Sequence, residues 1–193
     1  TCIIACFLCG DNQPVAKGRS HDVDTGVEVW RTSDGTTWSQ VNSDGFGDPG
    51  NGGPWLESFQ GYLYALVGNG DTGVQVWRCD TCNAPGDWEQ VANNGFGDGN
   101  NTGGHFILNS GNHLYACPGN DVTGGEIWQT TDGTTWSQAG VDGLGDSNNW
   151  WIGSGAVFNN RLYLGTGNWA NGGEVWSMGG GQVYLPVVLK GYR

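Results

Sequence analysis

The sequence predicts an all-β protein of β-propeller type, built from four repeats of about 48 residues with the first and last incomplete. Three observations carry that prediction. The motif Gly26-Val-Glu-Val-Trp30 recurs as Gly73-Val-Gln-Val-Trp77, Gly124-Gly-Glu-Ile-Trp128 and Gly172-Gly-Glu-Val-Trp176, with successive Trp residues 47, 51 and 48 apart. Glycine accounts for 37 of 193 residues, so turns are dense. No window shows helical periodicity bounded by caps, whereas short alternating runs separated by Asn-Gly and Asp-Gly junctions are frequent.

Each repeat offers about four short strands. In the second repeat, an apolar pair, Trp55 to Phe59 with Tyr62 to Val67, precedes the Trp77 strand and a last strand after Trp88. The corresponding pairs are Phe106 to Leu108 with His113 to Cys117, and Ala156 to Phe158 with Arg161 to Leu164. Repeats of this length with four strands are the signature of propeller blades, which bury their two apolar faces only by stacking.

The ends are partial. Ile3 to Cys9 matches the second strand of a repeat, and Gly172 to Met178 the third. The sequence thus divides into a repeat domain, 1–181, and a C-terminal apolar strand, 182–193, beyond the Gly179–Gly181 hinge. Val183, Tyr184, Leu185, Val187, Val188 and Leu189 make that segment the most apolar of the chain. Left unpaired it would be an exposed edge, so it either closes a blade in cis or is donated in trans to a second copy.

The strings Thr32-Ser-Asp-Gly-Thr-Thr-Trp38 and Thr130-Thr-Asp-Gly-Thr-Thr-Trp136 resemble Asp-box turns, the hairpin motif of sialidase-like and related secreted bacterial propellers. The resemblance covers roughly residues 26–176 and implies architecture: the Asp caps backbone amides and the Trp packs between strands. It does not imply hydrolysis. A sialidase-type site needs clustered arginines, and Arg19, Arg31, Arg78, Arg161 and Arg193 fall at scattered repeat positions. Glu28, Glu126 and Glu174 are equivalent to one another and to Gln75, which marks them as architectural. His21, His105 and His113 show no nucleophile or metal spacing. The sequence therefore predicts no catalytic residues and no enzyme.

The net charge of −12 disfavours nucleic acid, and no apolar run is long enough for a membrane helix. Six cysteines in a Lys-poor, Asn- and Gly-rich chain point to an oxidising compartment. The first residues, which lack an initiator Met and a basic leader, read as the start of a mature secreted or cell-surface chain. Cys79 and Cys82, in the enlarged loop of the second repeat, are expected to form a local disulfide rather than half of a Cys₄ zinc site with Cys6 and Cys9. Asp44, Asp48, Asn51, Asp98, Asp142 and Asp146 bracket the recurring Gly-Phe/Leu-Gly loops. They would suit calcium, although Asx turns explain the same pattern; no cofactor is required.

The leading expectation is a non-enzymatic extracellular structural or adhesive protein. It would assemble with itself, even into a filament, through the C-terminal strand. The alternative is a glycan-binding propeller. Trp55, Trp150, Trp151 and Trp169 stand outside the four-fold Trp pattern, and Asn168 flanks Trp169 in a loop, where ligand contacts concentrate.

Overall fold

Two-residue hairpin turns set the register of the fold. Gln60-Gly61 joins Phe59 to Tyr62 with positive φ at both residues, and Asn159-Asn160 does the same between Phe158 and Arg161. Asn and Gly tolerate this left-handed conformation, whose twist matches that of the flanking strands.

The computed structural model describes residues 3–7, 25–179 and 182–187. They form four antiparallel sheets in chain order. The first holds β1 (Ile3–Phe7), β2 (Glu28–Thr32) and β3 (Ser39–Gln40). The second holds β4 (Asn51–Phe59), β5 (Tyr62–Asn69), β6 (Gln75–Cys79) and β7 (Glu89–Ala92). The third holds β8 (Asn101–Ser110), β9 (His113–Asn120), β10 (Trp128–Thr130) and β11 (Ser137–Gln138). The fourth holds β12 (Trp151–Phe158), β13 (Arg161–Gly167), β14 (Val175–Gly179) and β15 (Gln182–Val187). The first strand of the later sheets starts earlier than the apolar pattern suggests. Bulges at Gly52/Trp55 and Gly104/Phe106 let Gly-rich segments continue the ladder.

β1 pairs with β2 as β5 pairs with β6, which is the second-strand position expected for the N-terminal segment. β15 pairs antiparallel with β14, with Met178 opposite Val183 and Ser177 opposite Tyr184. In this single chain β15 is the fourth strand of the fourth sheet. Val183, Tyr184, Leu185 and Val187 lie in β15, while Val188 and Leu189 lie outside the described residues.

Successive sheets stack face to face in propeller fashion. Alternation along β5 sends Ala65 and Val67 toward Val27, Val29 and Phe46 of the first repeat. It sends Tyr64 and Leu66 the other way, toward Ile107, Leu114 and Ala116 of the third sheet. Phe106, Tyr115, Cys117 and Ile127 then meet Ile152, Leu162, Leu164 and Met178 of the fourth.

The recurring glycines permit the linkers to touch the strands. A Cβ on Gly26 would lie 2.8 Å from Gly45 Cα, and one on Gly124 2.6 Å from Gly143 Cα. The linker residue after Gly45 or Gly95 is a Phe that stacks on the repeat Trp of the next sheet. Phe46 lies 5.0 Å from Trp77, and Phe96 4.8 Å from Trp128.

The two Asp-Gly-Thr-Thr turns are alike. Asp132 Oδ1 accepts from Thr134 N (2.8 Å), Thr135 N (2.7 Å) and the Thr130 hydroxyl (2.9 Å), and Asp34 does the same in the first repeat. In the second repeat, Asp87 takes over through Thr81 Oγ1 and Asn83 N, in a loop closed by the Cys79–Cys82 disulfide. Cys117 is a free, buried thiol, and burial pushes its pKa up to about 12.

Two stability predictions follow from these contacts. Burial holds the Glu126 carboxyl above its usual range, although Trp128 and Asn101 donate to it. An acid raised in the folded state costs stability once pH exceeds its unfolded value of about 4.3. Glu126→Gln, which copies Gln75, is therefore expected to raise the denaturation midpoint at pH 7 and to converge with the native chain below about pH 4. Glu126→Ala strands both donors and should lose about 1–3 kcal/mol in the same titration. Asp132 shows the opposite sign. Backbone N–H donors hold its carboxyl well below the usual range, so its contribution is full above about pH 4 and fades as pH falls further. Thermal melts of Asp132→Ala should show a deficit at pH 7 that narrows in acid.

Candidate functional site

A buried amide chain marks equivalent positions in the second, third and fourth sheets. Asn51 Nδ2 donates to Gly45 O of the preceding linker and to Gln75 Oε1 on the third strand of its own sheet, and Asn69 Nδ2 donates to Asn51 Oδ1 and Asp48 Oδ2. Asn101 and Asn120 repeat this toward Glu126, and Asn149 and Asn168 toward Glu174. The residues that follow each Asn can therefore be matched. Trp150 stands where Gly52 and Thr102 stand, Trp151 where Gly53 and Gly103 stand, and Trp169 where Gly70 and Asp121 stand.

All three departures meet at the junction of the third and fourth sheets. A cleft of about 450 Å³ opens there, lined by Asp121, Ser147, Asn148, Trp150, Trp169 and Ala170. Trp169 is 85% exposed at its rim. Trp150 stacks flat on Trp151, with centroids 4.8 Å apart and planes within 1°. His105 braces this pair edge-on, 5.7 Å from Trp150 and 4.9 Å from Trp151. The space His105 occupies exists because Gly103 and Gly119 carry no side chain: a Cβ on either would overlap its ring. Burial holds His105 below its ordinary pKa, partly offset by the Asp121 carboxylate.

The indole N–H groups of Trp150 and Trp151 are buried without a protein acceptor. Orphaned buried donors cost stability, so packing alone is a poor reason for two Trp residues here. An apolar wall with a few polar groups on its rim is the usual composition of a small-molecule site.

The other residues singled out from sequence fall elsewhere. Trp55 is on β4, 46% exposed and edge-on to Phe106 at 6.2 Å, outside the cleft lining. Asn168 is buried, and its Oδ1 accepts from Ala170 N and Asn171 N, so it shapes the loop that presents Trp169. The acids proposed for calcium are engaged in the linkers. Asp44 and Asp142 accept from Gln40 and Gln138. Asp48, Asp98 and Asp146 each cap a backbone N–H two residues on and accept from the amide chain. Asn51 belongs to that chain. Among the described residues no group of three or more His, Cys, Asp or Glu gathers to hold a metal. No helix among them is long and apolar enough to cross a membrane.

Asp121, Ser147, Asn148, Ala170 and His105 were not anticipated as site residues. Aligning the repeats on their buried Asn residues would have exposed the Trp-for-Gly exchanges. The polar rim carries no such signal.

No family model and no curated protein matches the chain, so the resemblance to Asp-box proteins has no counterpart at the level of whole-sequence comparison. The likenesses are to solved structures. One of two prolyl endopeptidases overlaps 83% of this chain and 22% of its own, at 13% identity and a TM-score of 0.51. An α-L-arabinofuranosidase from Clostridium thermocellum overlaps 96% of this chain and 72% of its own, at 13% identity and 0.47. A Bacteroides ovatus protein described as xyloglucan PUL GH43B overlaps 83% and 36%, at 13% identity and 0.47. The chain thus spans 36% and 22% of the first two solved structures it matches, and at this identity the likeness is one of fold. It nonetheless corrects the expectation of a non-enzymatic structural or adhesive protein, because a fold shared with a prolyl endopeptidase gives no ground for setting catalysis aside. The prediction of no enzyme does not stand: repeated acids and scattered arginines are no argument against catalysis on such a scaffold.

Proposed function

We propose that this chain is a glycan-recognising unit of a carbohydrate-active protein, with sugars held in the cleft between Trp150 and Trp169. The observation that carries the reading is that three tryptophans replace small or polar residues of the repeat at one junction and nowhere else among the matched positions. Sugar rings present flat C–H faces to indoles and hydroxyls to polar rims. Trp150 and Trp169 supply the first surface, and Asp121, Ser147 and Asn148 the second. Each sheet is read as one blade of the propeller, with the Asp-Gly-Thr-Thr turns in the Asp-box role. A secreted or surface setting accords with the Cys79–Cys82 disulfide and the low lysine content.

The test is calorimetry against neutral cello-, xylo-, arabino- and manno-hexaose, with reducing ends assayed in the same samples to detect cleavage. The native chain should bind at least one of the four. Trp169→Ala should weaken that binding about tenfold or more, equivalent to ~1.4 kcal/mol. Its melting temperature should stay near native, because the side chain is exposed. Trp150→Ala should lose both binding and stability, since its ring supports Trp151 and His105. Native affinity in Trp169→Ala would remove the cleft from the account.

A further inference from the structure

Resting on the glycan reading, we infer that the cleft takes uncharged sugars and that Asp121 is the residue that turns acidic ones away. Every charged group in the cleft has the same sign. Asp121 lines it directly. Asp146 lies beside the lining residue Ser147 and accepts from Asn148 N, Asn148 Nδ2 and Asn171 Nδ2, bonds that hold its carboxyl below the usual range. His105, behind the Trp pair, supplies no counter-charge near neutral pH because its burial favours the uncharged ring.

Among the described residues no Lys or Arg lines the cleft. Arg31 reaches Cys82 O at the junction of the first and second sheets. Arg78 pairs with Glu89 at 2.9 Å and lies over the Tyr62 ring in the second sheet. Arg161 opens β13 at the end opposite Gly167, the residue that pairs with Trp151. Along a seven-residue strand that is about 20 Å away, beyond a Debye length in physiological salt.

A uronate or sulfated sugar entering this cleft would bring its charge beside Asp121, with no cation among the described residues to receive it. Arg and Lys are the groups proteins use to bind carboxylates and sulfates. A neutral sugar meets a better partner, because an Asp carboxylate accepts from hydroxyl donors. Trp169 stands free to cover either kind of ring, so the aromatic wall does not discriminate by charge and Asp121 does. Asp121 follows Asn120 in a surface loop and is itself exposed, which makes it replaceable without disturbing the buried amide chain.

The experiment compares the four neutral hexasaccharides with hexagalacturonate and with its methyl ester, which keeps the backbone and removes the charge. Native protein is set beside Asp121→Asn. In the native chain the methyl ester should bind at least tenfold more tightly than the free acid, and added salt should narrow that gap. In Asp121→Asn the ratio of acid to ester affinity should rise about tenfold and lose most of its salt dependence. Equal native affinity for acid and ester, or an unchanged ratio in Asp121→Asn, would overturn this inference while leaving glycan binding in place. No binding to any of the six sugars would overturn the glycan reading and this inference with it.

Discussion

The structure depends on one hydrogen-bond chain, repeated where the preceding linker enters the second, third and fourth sheets. A linker Asp holds an Asn at the end of a sheet's second strand. That Asn donates to the Asn at the start of the same sheet, whose amide in turn reaches a Glu or Gln at or just before the start of that sheet's third strand. The Glu or Gln in turn accepts from the repeat Trp two residues away, as Glu126 Oε2 does from Trp128 Nε1 at 2.7 Å. Each Asn in the chain is buried, and each uses both its donor and its acceptor. Buried amides left half-satisfied would cost more than an apolar replacement, so the chain works as a set. It ties the first three strands of a sheet to the linker that leads into it, as Gly45 O and Asp48 do for the second sheet.

This constraint explains why the repeat tolerates variation in some places and none in others. The motif Gly-x-Glu/Gln-x-Trp is kept because the Gly touches the linker backbone, the acid or amide receives the preceding Asn, and the Trp closes the chain. Gln75 in place of Glu preserves the acceptor, so the geometry survives the loss of charge. The residue after each Asn carries no such duty. Gly70, Asp121 and Trp169 share a backbone position and have nothing else in common, which is where a repeat scaffold is free to take on function.

The sequence made the architecture legible because a repeat displays its own constraints: strand order, hairpin turns, the Cys79–Cys82 loop and the second-strand character of Ile3–Phe7 follow from matching one copy to another. The partner of the C-terminal strand was not legible. An apolar β-run satisfies the same rule in cis or in trans, and sequence does not show that β14 stands ready to pair with it. The site was half legible. Trp150, Trp151 and Trp169 stood out by composition, but their convergence depends on sheet stacking, and Trp55 looked the same in sequence although it faces Phe106. Asn168 was misread because a loop Asn beside an exposed Trp resembles a ligand contact, whereas its amide belongs to the buried chain.

The same chain also limits what a site at the third junction can do. Its floor is rigid: Asn149 and Asn168 are tied to Asp146 and Glu174, and His105 is wedged over two glycines. At its rim the Trp169 ring projects into solvent from a loop held by Asn168 and by Asn171 Nδ2 on Asp146. A rigid aromatic floor under an adjustable aromatic rim accepts flat ligands of varied length more readily than it distinguishes between them by shape. Selectivity must then come from the polar edge. Among the described residues Asp121 is the one charged side chain that lines that edge, and it follows the Asn120 amide that caps its loop.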